Sequence, residues 1–150
     1  MKILLLYATN SGGTFLAGKT IKEVLQKKHA LEMKKIEKVR AQGLSKYDLV
    51  ILGSPSWDFG KKQGQPHETF LQFMAENKGM NLEGKKFAVY GCGDSSYTYF
   101  CGGVDNLENF IKNLKGKLII NSLRINGYFF DLNKNAQLVK NWAKKLLKAI

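Results

Sequence analysis

Three short segments hold residue types that could do chemistry together. The first, Ala8-Thr9-Asn10-Ser11-Gly12-Gly13-Thr14, sets three hydroxyls around two glycines. At the start of a helix such a run presents free backbone amides and the positive end of the helix dipole, an anion site suited to a phosphate. Thr9, Ser11 and Thr14 would add donors, and Gly12 and Gly13 would let the backbone close in. No lysine follows the glycines, so this is not the nucleoside-triphosphate loop, and it is not G-x-G-x-x-G. An ordinary capped helix start uses the same residues, and this run alone does not separate the two. The second segment is Gly53-Ser54-Pro55-Ser56-Trp57-Asp58-Phe59-Gly60. Trp57 in a loop would either cover something flat or pack over the end of a sheet. The third is Gly91-Cys92-Gly93-Asp94-Ser95-Ser96-Tyr97-Thr98-Tyr99-Phe100-Cys101-Gly102. Its glycines would bring main-chain amides close to a heterocycle, and Tyr97 offers a second aromatic face for offset stacking. One phosphate cradle and two aromatics on separate loops describe a pocket for a phosphorylated, planar ligand.

The elements that must bring these segments together read as alternating short apolar runs and longer amphipathic stretches, the pattern of a parallel sheet covered by helices. Strands are predicted over Lys2–Tyr7, Leu31–Ile36, Asp48–Gly53, Lys86–Cys92 and Leu118–Ile125, the last broken at Asn121-Ser122. Helices are predicted from Thr14 to Lys28, from Pro66 through Met74, from Val104 to Leu114 ending near Gly116, and from Leu138 to Ile150. This order predicts an α/β, doubly wound, three-layer fold with a five-stranded parallel sheet of strand order 2-1-3-4-5, in a single domain spanning 1–150. In such a sheet, ligands bind beyond the C-terminal strand ends where the strand order reverses. The three segments follow strands one, three and four and should meet there.

Composition narrows the function classes. The chain has 150 residues, 44% of them hydrophobic and 24% charged, the profile of a soluble globular domain. Its longest apolar runs are too short to span a bilayer, and Met1-Lys2-Ile3 leads into the first strand without a cleavage site, so a cytoplasmic protein with no membrane partner is expected. Cys92 and Cys101 cannot build a disulfide framework or a zinc site and read as small buried residues. No Ser-His-Asp or paired-carboxylate constellation is present; His67 reads as a helix-start residue. The net charge is +12, from 24 basic residues, only two of them arginine, against 12 acidic. Such a field favours acidic partners. A nucleic-acid module is not expected, because no such motif is present and the lysines are scattered.

These segments resemble those of the flavodoxins, small electron carriers that bind FMN. Thr9-Asn10-Ser11-Gly12-Gly13-Thr14 resembles their phosphate loop, Ser56-Trp57 their first isoalloxazine-flanking loop, and Gly91-Cys92-Gly93-Asp94-Ser95-Ser96-Tyr97 with Phe100-Cys101-Gly102 the second. The likeness extends to Gly127 and Trp142-Ala143, with no long insertion in the last strand, as in the short-chain type. It implies a flavodoxin-like fold, FMN as cofactor, and redox partner proteins rather than a substrate. It also implies Trp57 and Tyr97 on the two ring faces, main-chain contacts near Asp94 to the pyrimidine end, and FMN contacts from Pro55, Ser56, Trp57, Asp58, Phe59 and Gly60 and from Cys92, Gly93, Asp94, Tyr97, Phe100 and Cys101. A monomer is expected. The competing enzyme reading, a flavin-dependent reductase of quinones or of a metal-site maturation partner, would need an open ring face. A receiver domain would need an aspartate where Gly53-Ser54 stands.

The chain departs from the family at two places. The family has glycine just after the first flanking aromatic, where a peptide flips to hydrogen-bond N5 of the half-reduced flavin; here that residue is Asp58. A side chain makes positive φ harder to enter, so weaker stabilisation of the half-reduced state is expected. The family is acidic around the flavin, whereas this chain has Lys61-Lys62, which predicts an easier second reduction and partners with acidic docking faces.

Overall fold

The computed structural model describes all 150 residues. The elements are β1 (Lys2–Tyr7), α1 (Gly13–Leu25), β2 (Ala30–Lys35), β3 (Leu49–Phe59), β4 (Lys62–Pro66), α2 (Glu68–Glu76), β5 (Lys86–Gly93), α3 (Gly102–Asn113), β6 (Lys117–Leu118), β7 (Leu123–Asn126) and α4 (Leu132–Ala149). The main sheet is parallel, ordered β2-β1-β3-β5, with β6 and β7 both paired to β5. β6 and β7 share the fifth position, so the expected order holds with its last strand in two pieces.

Both sheet faces are apolar because the central strands alternate between two covered sides. Leu4 and Leu6 of β1, Val50 and Leu52 of β3, and Phe87 and Val89 of β5 face one cluster with Phe70 and Phe73 of α2 and Val104, Leu107 and Ile111 of α3. Ile3, Leu5, Leu49, Ile51, Ala88 and Tyr90 face the other, with Ile21 of α1 and Val139, Trp142 and Leu146 of α4. Near-continuous apolar strands follow from this double burial.

Three expectations need correction. The Trp57 segment is not a loop: β3 runs on to Phe59 and pairs antiparallel with β4, with a bulge between Trp57 and Phe59. The tip is a tight turn in which Gly60 (φ 58°) and Lys61 (φ 62°) are both left-handed, as two-residue hairpins with a primed turn require. Pro66 does not open a helix; it closes β4, and His67 is the N-cap of α2, its ring nitrogen accepting from the Thr69 amide at 3.1 Å. α4 starts at Leu132, one turn and a half before the apolar period becomes readable, because Asp131 caps it through the Lys134 amide at 3.1 Å. No helix is long and apolar enough to cross a membrane.

Candidate functional site

The order reverses between β1 and β3, and the segments after β1, β3 and β5 converge there. With the turn after β7 they line one cavity of about 250 Å³. Its walls hold Thr9, Asn10, Ser11, Gly13 and Thr14, then Pro55, Ser56 and Trp57, then Cys92, Gly93, Asp94 and Tyr97.

The first segment has the geometry of an anion cradle. Gly12 is left-handed (φ 99°) and its amide donates to the Thr9 hydroxyl at 3.0 Å, which folds the loop back onto the start of α1. The amides of Asn10, Ser11, Gly13, Thr14 and Phe15 donate to no protein acceptor, so a cluster of donors with the α1 dipole behind it faces the cavity. This is an arrangement that an ordinary capped start lacks: no side chain caps α1. A phosphate fits it.

The two other segments bring one aromatic each to the cavity, Trp57 and Tyr97. Trp57 is half-buried and Tyr97 is exposed, each on its own arm of the cavity rim. His67, just after β4, ties the Trp57 arm to the cradle. Its Nδ1 must accept from the Thr69 amide, which leaves Nε2 as the N–H that donates to Asn10 Oδ1 at 3.1 Å. The Asp94 carboxylate is engaged locally. It accepts from the Ser96 amide at 2.8 Å, and the hydrogen bonds from Ser96 hold its carboxyl below the usual range. The Asp94 amide has no protein acceptor and stays available to a heterocycle edge.

Six of the expected residues do not line this cavity. Cys101 is fully buried, left-handed at the head of α3, with its thiol toward the carbonyls of Gly91 and Ile125. Phe100 packs against the core cluster of α2 and α3. Gly12 forms the back of the cradle. Asp58 and Phe59 flank a smaller hollow of about 230 Å³ shared with Asn10, Trp57, His67 and Glu68. Gly60 stands at the hairpin tip. Asp58 Oδ1 accepts from the Gly64 amide at 2.8 Å and so ties the β3 arm to β4.

One wall has no counterpart among the expected residues: Tyr128, Phe129 and Phe130, which follow Gly127. The Phe129 ring lies over Gly12 and Gly13, and a Cβ on Gly13 would meet Tyr128 Cβ at 3.0 Å. The buried Asn135 holds this turn, its Nδ2 donating to the carbonyls of Gly127 and Tyr128 at 3.0 Å each. Their signal is a Tyr-Phe-Phe run just before an Asp cap, too short for periodicity to assign. Asn135→Ala strands both carbonyls and is expected to remove about 1–3 kcal/mol of stability, read as a lower thermal midpoint, with weaker binding at the cavity.

Both cysteines are free thiols, and neither is activated. Burial pushes the Cys92 thiol up to about 11 and the Cys101 thiol up to about 12. Both are protonated at neutral pH and therefore poor nucleophiles. Native protein is expected to resist iodoacetamide at pH 7, with Cys92 alkylating as the pH approaches its own range and Cys101 only on unfolding. Rapid alkylation of either at pH 7 would contradict this.

A doubly wound sheet with an uncharged phosphate cradle and two aromatic flanks at its switch point defines a binding protein for a phosphorylated planar cofactor. A family model described as Flavodoxin matches residues 5–132. A flavodoxin of Maridesulfovibrio salexigens is 34% identical over 128 residues, covering 84% of this chain and 86% of that one. The structure of oxidised flavodoxin 2 from Bacillus cereus superposes with a TM-score of 0.89 at 30% identity over the whole of both chains. A Fusobacterium nucleatum flavodoxin, solved bound to flavin mononucleotide, shares the fold with a TM-score of 0.82 at 18% identity, over 98% of this chain and 97% of that one. The chain belongs to the flavodoxin family. Membership makes it an FMN-dependent electron carrier and not an enzyme with acid–base machinery of its own.

Proposed function

We propose that FMN is held with its phosphate on the free amides of Asn10, Ser11, Gly13, Thr14 and Phe15, and that the carrier docks its redox partners over the β3–β4 hairpin. The observation behind the first part is the set of unpaired amides at the head of α1. Trp57 and Tyr97 flank the ring and exclude water from its faces, and the Asp94 amide meets its pyrimidine edge. The bound flavin supplies the one-electron chemistry, while the protein contributes binding, orientation and local charge.

Docking rests on the hairpin tip. Lys61 and Lys62 are exposed beside the exposed Phe59, on the arm that carries Trp57. A partner with carboxylates around its own redox centre fits this tip. The expected result is that Lys61→Glu with Lys62→Glu slows electron transfer to an acidic redox protein about tenfold at low salt, with the difference closing at high salt. The FMN spectrum should stay unchanged. Equal rates at low salt would remove the hairpin from the docking site.

A further inference from the structure

The excess positive charge lies at the pole opposite the cavity. In a parallel sheet covered by antiparallel helices, every strand starts and every helix ends at the same pole. Lys2 opens β1, Lys46 precedes β3, and Lys85 and Lys86 lead into β5. Lys27 and Lys28 follow α1, Lys78 follows α2, Lys115 and Lys117 follow α3, and Lys145 and Lys148 lie in the last turns of α4. Only Glu23, Asp48, Glu76 and Glu83 stand among them, and Asp48 is engaged by the Lys2 amide at 2.6 Å. None of these lysines is in an ion pair; those of the chain join Lys34 to Glu32 and Arg124 to Asp105 and Glu108. At the cavity pole, by contrast, Lys35, Lys38, Lys61, Lys62 and Lys134 are offset by Glu37, Asp58, Glu68, Asp94 and Asp131. Cations at helix ends are ordinary, but that does not account for the lysines at strand starts.

We propose that this basal face attaches the protein reversibly to an anionic phospholipid bilayer, with the FMN site turned toward solution. Apart from Lys85, whose ammonium donates to the Tyr47 carbonyl, the face offers exposed ammonium groups and little else. Of the two arginines only Arg40, just before the turn at Ala41–Lys46, comes near it, and the exposed aromatics Phe59, Tyr97, Tyr99, Phe129 and Phe130 are at the other end. It therefore lacks the arrays of guanidinium forks and stacking rings that read nucleic acid. Point charges spread over a broad face suit a diffuse anionic surface, where each lysine near the headgroups adds to binding and the attraction fades within a Debye length. β1 alone is six residues long, which sets the cavity roughly 20 Å from the face. The attachment leaves the flavin reachable.

The test is co-sedimentation of the FMN-loaded protein, and of the apoprotein, with vesicles of phosphatidylcholine alone or with about 30% phosphatidylglycerol. The expected result is binding to the anionic vesicles only, in both forms, released as salt rises. The triple variant Lys27→Glu, Lys145→Glu, Lys148→Glu should bind more than tenfold more weakly, while Lys61→Glu with Lys62→Glu binds as the unmodified protein does. Circular dichroism and retained FMN binding confirm that the triple variant is folded. Three results would overturn the proposal: no binding to the anionic vesicles at low salt, undiminished binding by the triple variant, or tighter binding to duplex DNA than to the vesicles at equal phosphate. Vesicle binding by the apoprotein separates this result from any failure of FMN to bind.

Discussion

Ser11→Asp is expected to weaken FMN binding about a hundredfold and to leave riboflavin binding nearly unchanged. Ser11 is exposed on the cradle, beside the amides that face the cavity. A carboxylate there sits at the positive end of α1, where a negative charge stabilises a helix, so the fold should not suffer. It would, however, occupy the donors that the phosphate needs. At an effective dielectric of about 20, like charges roughly 4 Å apart repel by about 4 kcal/mol. Allowing for exposure and salt, about 2–3 kcal/mol remains, a factor near a hundred in affinity. Riboflavin lacks the phosphate and should lose little. Fluorescence quenching by the apoprotein measures both ligands. A matched loss for the two would mean that the phosphate does not sit on this loop.

The second large effect concerns Asp58. Its carboxylate holds the Gly64 amide at 2.8 Å across the hairpin, next to the bulge between Trp57 and Phe59. Asp58 itself is not left-handed; the positive φ values of this hairpin belong to Gly60, Lys61 and Gly64. A rearrangement of the Asp58 peptide toward a reduced flavin must therefore break the tether and also move a side chain into a strained region. Asp58→Gly removes both obstacles. A hydrogen bond to a charged acceptor is worth about 1.5–3 kcal/mol, less at an exposed site. The half-reduced form should then accumulate roughly five- to tenfold more readily at the midpoint of a reductive titration. Asp58→Asn, which keeps an oxygen for Gly64, should fall between. If the glycine variant accumulates no more than the unmodified protein, the tether does not limit the half-reduced state.

Much of this was legible because period and punctuation agree. The β1 and β5 runs and the helical spacing of Val139, Trp142 and Leu146 each point to one element type, and the loops at strand ends carried their glycines and aromatics with them. What escaped had other causes. The Trp57 segment reads as a loop because its Gly, Ser and Pro are turn residues, yet pairing with β4 overrides their propensity. Cys101 and Phe100 belong to a cavity-facing motif, but the turn into α3 points them into the core, and one-dimensional spacing does not reveal that rotation. Tyr128 to Phe130 reach the site only through the packing of α4 beside α1. The lysines look scattered along the chain, and only the common direction of the strands gathers them at one pole. The easier second reduction expected from Lys61 and Lys62 rests on that pair, since the basal lysines are screened by more than a Debye length.

The most direct measurement is an anaerobic, stepwise reduction of the FMN-reconstituted protein followed by visible spectroscopy. One FMN per chain with a shifted two-band spectrum is expected. That spectrum should bleach in one-electron stages without consumption of reduced nicotinamide by the protein alone. Failure to take up FMN, or a single two-electron bleach coupled to steady nicotinamide turnover, would contradict the assignment of this cavity to a carrier.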